Sequence, residues 1–230
     1  MKNQMIKNFK IGVVTLICAI TTSATAQKTI NEGIITYGLE YNLPADRQAM
    51  ASMLPKEYTM KFKGDLSQFK MDMGMFSTEI IFNNLTKETL SLTEVPIQDK
   101  KIAVKMNKAQ TEKLAEMQGI NKKFEVTPTS EKKIISSYNC TKYLCKDKET
   151  GRQVEVWATS DLKVPFNTLT TIFEGVKGVP MEFSTDSQGM KAKVTVKNII
   201  DQKIEDIKMV IPAEYEIMSF DELLKQMGGE

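Results

Sequence analysis

The sequence predicts a mainly β fold: a curved antiparallel sheet, or unclosed half-barrel, of about a dozen strands with three or four short helices over its open side. Three observations predict it. Short segments that alternate apolar and polar residues recur along the chain, separated by turn residues. Most of these segments carry one apolar face, as a sheet does when one side meets a core and the other meets water. The helical segments are short and well punctuated, so they can cover a sheet but cannot replace it.

The chain has 230 residues, and its first 26 read as a secretory leader. Lys2, Lys7 and Lys10 precede the short apolar run Ile11–Ile20, and Ala24-Thr25-Ala26 supplies small residues for cleavage before Gln27. Ten apolar residues rise only ~15 Å as a helix, about half of a bilayer core, so the run is too short for an anchor. Cys18 follows Ile17 where a lipoprotein site needs a small residue. One domain, 27–230, is expected to remain, with 28 basic residues against 29 acidic ones and a net charge of −1. That balance leaves no basic face for nucleic acid, and no later run is long enough to span a membrane.

The first strand is Gly33–Tyr41, with Ile35, Tyr37, Leu39 and Tyr41 on one face. Pro44–Leu54 reads as a helix, Pro44 at its first position and Met50, Met53 and Leu54 on one side. Five more strands follow in a meander: Glu57–Lys63, Gln68–Met75, Phe76–Leu85, Thr89–Val95 and Lys101–Met106. Asn107–Gly119 is a second helix, with Asn107 and Gln110 as a capping box. Lys123–Thr127 returns to strand. Lys133–Thr159 then reads as one long hairpin, with arms Lys133–Lys146 and Arg152–Thr159 joined by a turn at Lys148-Glu149-Thr150-Gly151. Asp161–Gly178 crosses over with an apolar face of Phe166, Leu169, Ile172 and Phe173. Pro180–Thr185, a turn at Asp186-Ser187-Gln188-Gly189, and a strand with Met190, Ala192, Val194 and Val196 on one face come next. Glu205–Ile211 closes the sheet as a last strand. Ser219 and Glu222 cap the final helix, Asp221–Met227, which Met218 and Leu223 can staple and Gly228 ends.

The order of several short motifs resembles an uncharacterised domain family of exported bacterial proteins. They are Gly33-x-Ile35-x-Tyr37, Tyr138-Asn139-Cys140-Thr141-Lys142-Tyr143, Glu155-Val156-Trp157-Ala158-Thr159, Gly178-Val179-Pro180-Met181-Glu182 and Ile211-Pro212-Ala213-x-Tyr215. The family pattern reads G-Y-x-C-x-K-Y, W-Y-T, G-x-P-L-E and I-P-x-G-Y. This chain departs from it at Ser137, Ala158 and Ala213-Glu214. The resemblance covers nearly the whole mature chain. It implies a relation to the half-barrel of periplasmic lipoprotein carriers, a hydrophobic-ligand or lipoprotein-binding module, and no catalytic residues.

The methionines are the main candidate chemistry. Met71, Met73 and Met75 share a face with Phe69 if they lie on one strand, and Met50 and Met53 sit on a helix that can cover it. Methionine fills irregular shapes, so the expected site for a lipid, acyl chain or lipidated partner is Tyr37, Tyr58, Met60, Phe62, Phe69, Met71 and Met73, lidded by Met50 and Met53. The same residues also suit an ordinary core. A filled core would make the chain an envelope-structural or protein-interaction module without a small ligand. Thioether binding of Cu(I) requires the three sulfurs to converge. With no His in the chain, a Cys/His metal site is excluded, and the thiols lack a base to activate them. No cofactor is expected.

Other motifs have simpler readings. Cys140 and Cys145, five apart in an extended strand, face opposite sides about 16 Å apart, beyond disulfide reach. Ser67–Lys70 and Ser130–Lys133 have Ser-x-x-Lys spacing, which a helix brings together and a strand separates. Glu155, Asp161, Glu174, Glu205 and Asp206 read as solvated carboxylates, Trp157 as packing, and Lys191, Lys193 and Lys197 as a solvated face.

Overall fold

A computed structural model describes residues 27–118, 123–165, 172–187 and 190–228. The expected leader, 1–26, Gly119 and the face residues Phe166 and Leu169 lie outside the described residues, as do Gln188 and Gly189.

The fold is an unclosed, mainly β half-barrel. Its strands are β1 (Lys28–Thr29), β2 (Glu32–Asn42), β3 (Glu57–Lys63), β4 (Leu66–Asp72), β5 (Ser77–Asn83), β6 (Thr89–Val95), β7 (Lys100–Met106), β8 (Phe124–Ile135), β9 (Tyr138–Asp147), β10 (Gln153–Thr159), β11 (Leu162–Lys163), β12 (Val179–Ser187), β13 (Met190–Asp201) and β14 (Glu216–Ile217). Twelve of them form one sheet in the order β14-β7-β6-β5-β4-β3-β2-β13-β12-β10-β9-β8, antiparallel except at β14–β7. The six-strand meander β2 to β7 stands as the alternation predicts. β1 and β11 pair in a separate parallel ribbon.

Helices α1 (Lys108–Met117) and α2 (Phe220–Gln226) carry the two expected capping boxes, Asn107 with Gln110 and Ser219 with Glu222. Both pack on β7, where Leu114, Phe220, Leu223 and Leu224 meet Val104 and Met106. The segment after Pro44 is a 3-10 helix, Ala45–Ser52, and none of its residues is buried.

Three expectations are corrected. The arm Lys133–Lys146 is not one strand. Ser136 and Ser137 both take positive φ, 48° and 72°, and turn the chain between β8 and β9. No Gly, Asn or Pro marks this turn. The Ser136 hydroxyl instead donates to the Val196 carbonyl at 2.6 Å, beside the bulge that β13 makes against β2. The second correction is at β4, which stops at Asp72. Met73 and Met75 belong to a tight turn in which the Met75 amide donates to the Met73 carbonyl, so the three methionines do not share a strand.

The third concerns Glu205–Ile211, which joins no ladder. It is part of an extended strap, 202–215, laid across the strands rather than beside one. Its apolar residues Ile204, Ile207, Met209 and Ile211 follow a spacing of three, two and two, which suits contact with a sheet face better than membership in a sheet.

Candidate apolar binding face

Residues directly opposite one another in a ladder share a face, so the register defines the inner surface row by row. One row runs Phe62, Ser67, Phe82, Thr89, Met106 and the next Met60, Phe69, Ile80, Ser91, Val104. A third runs Met71, Thr78, Thr93, Ile102. The same face continues through Ile35, Tyr37, Val194, Val196, Phe183, Val156 and Tyr143.

From β9 to β3 this face is closely packed, and on β8 Phe124 and Val126 lie half-buried against it. Tyr37 and Phe62 are each 1% exposed, and Met60 and Tyr58 are buried with them. Ile172, Phe173 and Val176 lie over the same cluster, Phe173 meeting Phe183 edge-on at 5.0 Å. Ile30 and Leu162, on or beside the β1–β11 ribbon, complete it. An aromatic ladder leads outward from this core. Tyr37 stacks on Tyr58 at 4.7 Å, and Tyr58 meets Phe69 at 4.6 Å. Burial raises the Tyr37 phenol well above its usual range, with Tyr58 adding to the shift. Burial, then neighbouring Tyr41, does the same at Tyr58. Both phenols therefore stay neutral.

Beyond Phe69 the packing stops. Phe69, Met71, Thr78, Ile80, Phe82, Ser91 and Thr93 are all half-buried. Met71, Ile80 and Phe82 belong to none of the three packed clusters of the described residues. Packing resumes at β7 under α1 and α2, where the Thr111 hydroxyl on α1 donates to Thr89 at 3.1 Å. The result is an open strip on β4, β5 and β6 between two packed shoulders.

The expected site residues thus divide. Tyr37, Tyr58, Met60 and Phe62 are core. Phe69 and Met71 line the open strip, with Met73 half-buried in the turn at its end. Met50 and Met53 are 44% and 45% exposed, on and just after a 3-10 helix with no buried residue. Ile80, Phe82, Thr78, Ser91 and Thr93 were missed. The adjacent pair Ile80-Ile81 held a usable signal, because a strand apolar on both faces needs a cover on each.

The remaining motifs are structural. Cys140 and Cys145 are free and both buried in the main core. β9 pairs with β10 in unbroken register from Lys146 to Cys140, so the two cysteines keep the opposite parity that odd spacing predicts. Burial pushes each thiol up to about 11. Ser67 faces inward and Lys70 outward, as strand parity requires. Lys133 lies 4.2 Å over the Trp157 ring and pairs with Glu182 at 2.7 Å, while Lys142 pairs with Glu155 at 2.8 Å. Asp161 accepts from the Asn139 amide, and Asp206 pairs with Lys63.

Two surface depressions lie away from the strip. One, of about 570 Å³, is polar and lies at the β9–β10 turn around Asp147, Lys148 and Glu149. The other, of about 520 Å³, lies beside the β1–β11 ribbon around Leu162, Val164 and Phe173. No helix of the described residues is long and apolar enough to cross a membrane.

No family model matches the chain, and no curated protein is similar to it. Among solved structures, PNGF-II in its P21 crystal form is similar over 82% of this chain and 31% of its own, at 18% identity and a TM-score of 0.47. Its C2 crystal form gives 17% identity and the same TM-score. The chain therefore spans about a third of the length of PNGF-II. The lipoprotein LppX of Mycobacterium tuberculosis is similar over 76% of this chain and 89% of its own, at 6% identity and a TM-score of 0.33. LprF from Mycobacterium bovis covers 81% and 90%, at 11% identity and a TM-score of 0.32. Likenesses this loose carry no argument about activity.

Proposed function

We propose that the chain is a non-catalytic binding protein of the cell envelope that holds a hydrophobic guest on the open strip of β4, β5 and β6. One observation carries the reading. Met71, Ile80 and Phe82 present half-exposed apolar surface on a face that is packed on either side of them. Full burial from full exposure is worth about 1.5–3 kcal/mol for such a side chain, so covering the part still exposed adds a fraction of that, which a guest supplies and water does not. The flexible thioether of Met71 adapts to an irregular chain. The motif order and the leader agree with this reading: both imply export, with cleavage near Ala26 and a mature domain 27–230. A catalytic role has less support, because the thiols are buried and protonated and the Ser and Lys of Ser67–Lys70 point apart.

Organic extraction of the exported protein followed by mass spectrometry tests the proposal. The expected result is a co-purifying lipid that Ile80→Asp with Phe82→Asp abolishes without unfolding the chain. Absence of any extracted lipid, together with no displacement of a neutral fluorescent probe, overturns it. The N-terminal sequence of the exported form tests the cleavage site.

A second reading rests on the solid packing around Tyr37, Tyr58, Met60 and Phe62. It makes the chain an interaction module whose strip meets a protein. It predicts a partner whose binding the same two aspartates abolish, and no extractable lipid.

A further inference from the structure

We infer that one end of the half-barrel is a membrane-docking rim. The 3-10 helix Ala45–Ser52 with Met53, the β4–β5 turn and the β6–β7 turn seat together on a zwitterionic phospholipid bilayer. This goes beyond the binding role proposed above and stands without it.

The register places these three segments at one end of the sheet. Asp72, Ser77, Glu94 and Lys101 lie side by side across β4 to β7, and the two turns project just beyond them. The Leu39 amide donates to the Lys56 carbonyl, so the connection from β2 to β3, which holds the 3-10 helix, lies at the same end. Each segment exposes an apolar side chain. Met50, Met53 and Met75 are 44%, 45% and 49% exposed, and Ile97 is 82% exposed. The helix is nonetheless anchored. Leu43 and Leu54 on either side of it are buried, and Gln48 donates to the Leu43 carbonyl at 2.7 Å. Its methionines are thus held outward by a fixed segment.

The same end of the filled half is different. There the β9–β10 turn is Lys148-Glu149-Thr150-Gly151, exposed and polar as turns commonly are. The apolar tips belong to the half that bears the open strip, whose last row, Met71, Thr78, Thr93 and Ile102, lies one residue inside the rim. At the opposite end Leu85 and Ile134 are also exposed, but they stand after β5 and on β8, far apart in the strand order. The rim instead joins three consecutive connections, and tips at one level enter a headgroup layer together, burying apolar area as interfacial segments do. Its charges alternate in sign. Asp46 with Arg47, Lys56 with Glu57 and Asp99 with Lys100 are neighbours in sequence, Lys101 pairs with Glu94, and Asp72 accepts from the Gly74 amide. That pattern complements headgroups carrying one positive and one negative charge each. The clustered Lys and Arg that an anionic surface calls for are not found among the described residues of the rim.

Flotation of the full mature chain with dioleoylphosphatidylcholine vesicles tests this. The unaltered chain is expected to float with the vesicles equally at low and high salt, and to gain nothing from added phosphatidylglycerol. Met75→Asp with Ile97→Asp is expected to lower the bound-to-free ratio roughly tenfold or more. Met50→Ser with Met53→Ser, on the separate helix, is expected to lower it about threefold. Leu85→Asp, at the opposite end, should leave it unchanged. No flotation of the unaltered chain overturns the inference, and so does a dimer that the two aspartates split, since the rim then meets a second copy. Flotation that both double variants leave intact, or that appears only with phosphatidylglycerol, overturns it as well. Flotation without any extractable lipid or probe binding sinks the role proposed for the strip and leaves the rim standing.

Discussion

From β8 to β3 the sheet packs its inner face, with Tyr37, Met60, Phe62 and Val196 almost wholly out of water. From β4 to β6 the same sheet packs its outer face instead. There the strap 202–215 lays Ile204, Ile207, Met209 and Ile211 on Leu66, Ile81, Leu90 and Leu92. It is pinned at one end by Lys63, which donates to the Ile204 carbonyl and pairs with Asp206. At the other end Tyr215 donates to Glu94 at 2.7 Å. Because the strap stabilises β4 to β6 from behind, their inner face need not be covered for the strands to hold. A sheet can leave an apolar strip open where a second core supports it from the other side.

The sharpest way to break this comparison is to truncate one side chain in each half. Phe62→Ala, in the filled half, is expected to cost about 3–5 kcal/mol in urea unfolding, whereas Ile80→Ala on the open strip costs well under half of that. Equal costs would mean that the strip is core after all. Ile207→Ala is expected to cost about 2 kcal/mol, at the low end for a buried Ile because a strap can settle into the space. Limited proteolysis of that variant should cut within 202–215 first, with β8 to β3 still protected. A smaller effect is expected where the β8–β9 turn meets β13. Ser137→Gly relieves a left-handed residue and should stabilise by about 0.5 kcal/mol, while Ser136→Ala should cost about 1 kcal/mol through its lost bond to Val196.

The mildest effect is that of acid on the strap alone. The hydrogen bond from Tyr215, then Lys101, holds the Glu94 carboxyl below its ordinary value, and Lys63 does the same for Asp206. Groups held low in the folded state add stability that is complete above the unfolded carboxylate range, about pH 4, and is lost as pH falls through the folded values. Cleavage within 202–215 should therefore rise in acid before the rest of the chain opens, and Tyr215→Phe should flatten that rise. An acid response confined to β8–β3 would contradict the assignment.

Much of the sheet was legible residue by residue. Tyr58, Met60 and Phe62 alternate with Glu57, Thr59, Lys61 and Lys63, and the strand is found there with those residues buried as the period requires. Asn107 with Gln110 and Ser219 with Glu222 marked two helix starts, because a capping box is a local bond pattern written in four residues. The β8–β9 turn was not legible, since the bonds that accompany its positive φ run from Ser136 to carbonyls of the β13 bulge, about sixty residues away. The open strip was half legible. Phe69 and Met71 showed in the pattern, but Tyr37 and Phe62 show the same pattern and are core.

Alternation and caps by themselves determined the meander from β2 to β7 and the two capped helices, because each depends on bonds and contacts a few residues apart. Which apolar face is filled and which stays open depended on contacts across a hundred residues or more, such as Lys63 with Ile204 and Tyr215 with Glu94. An apolar side chain reads the same in sequence whether a neighbour covers it or not, and only the folded chain brings the strap to one face and leaves the other bare.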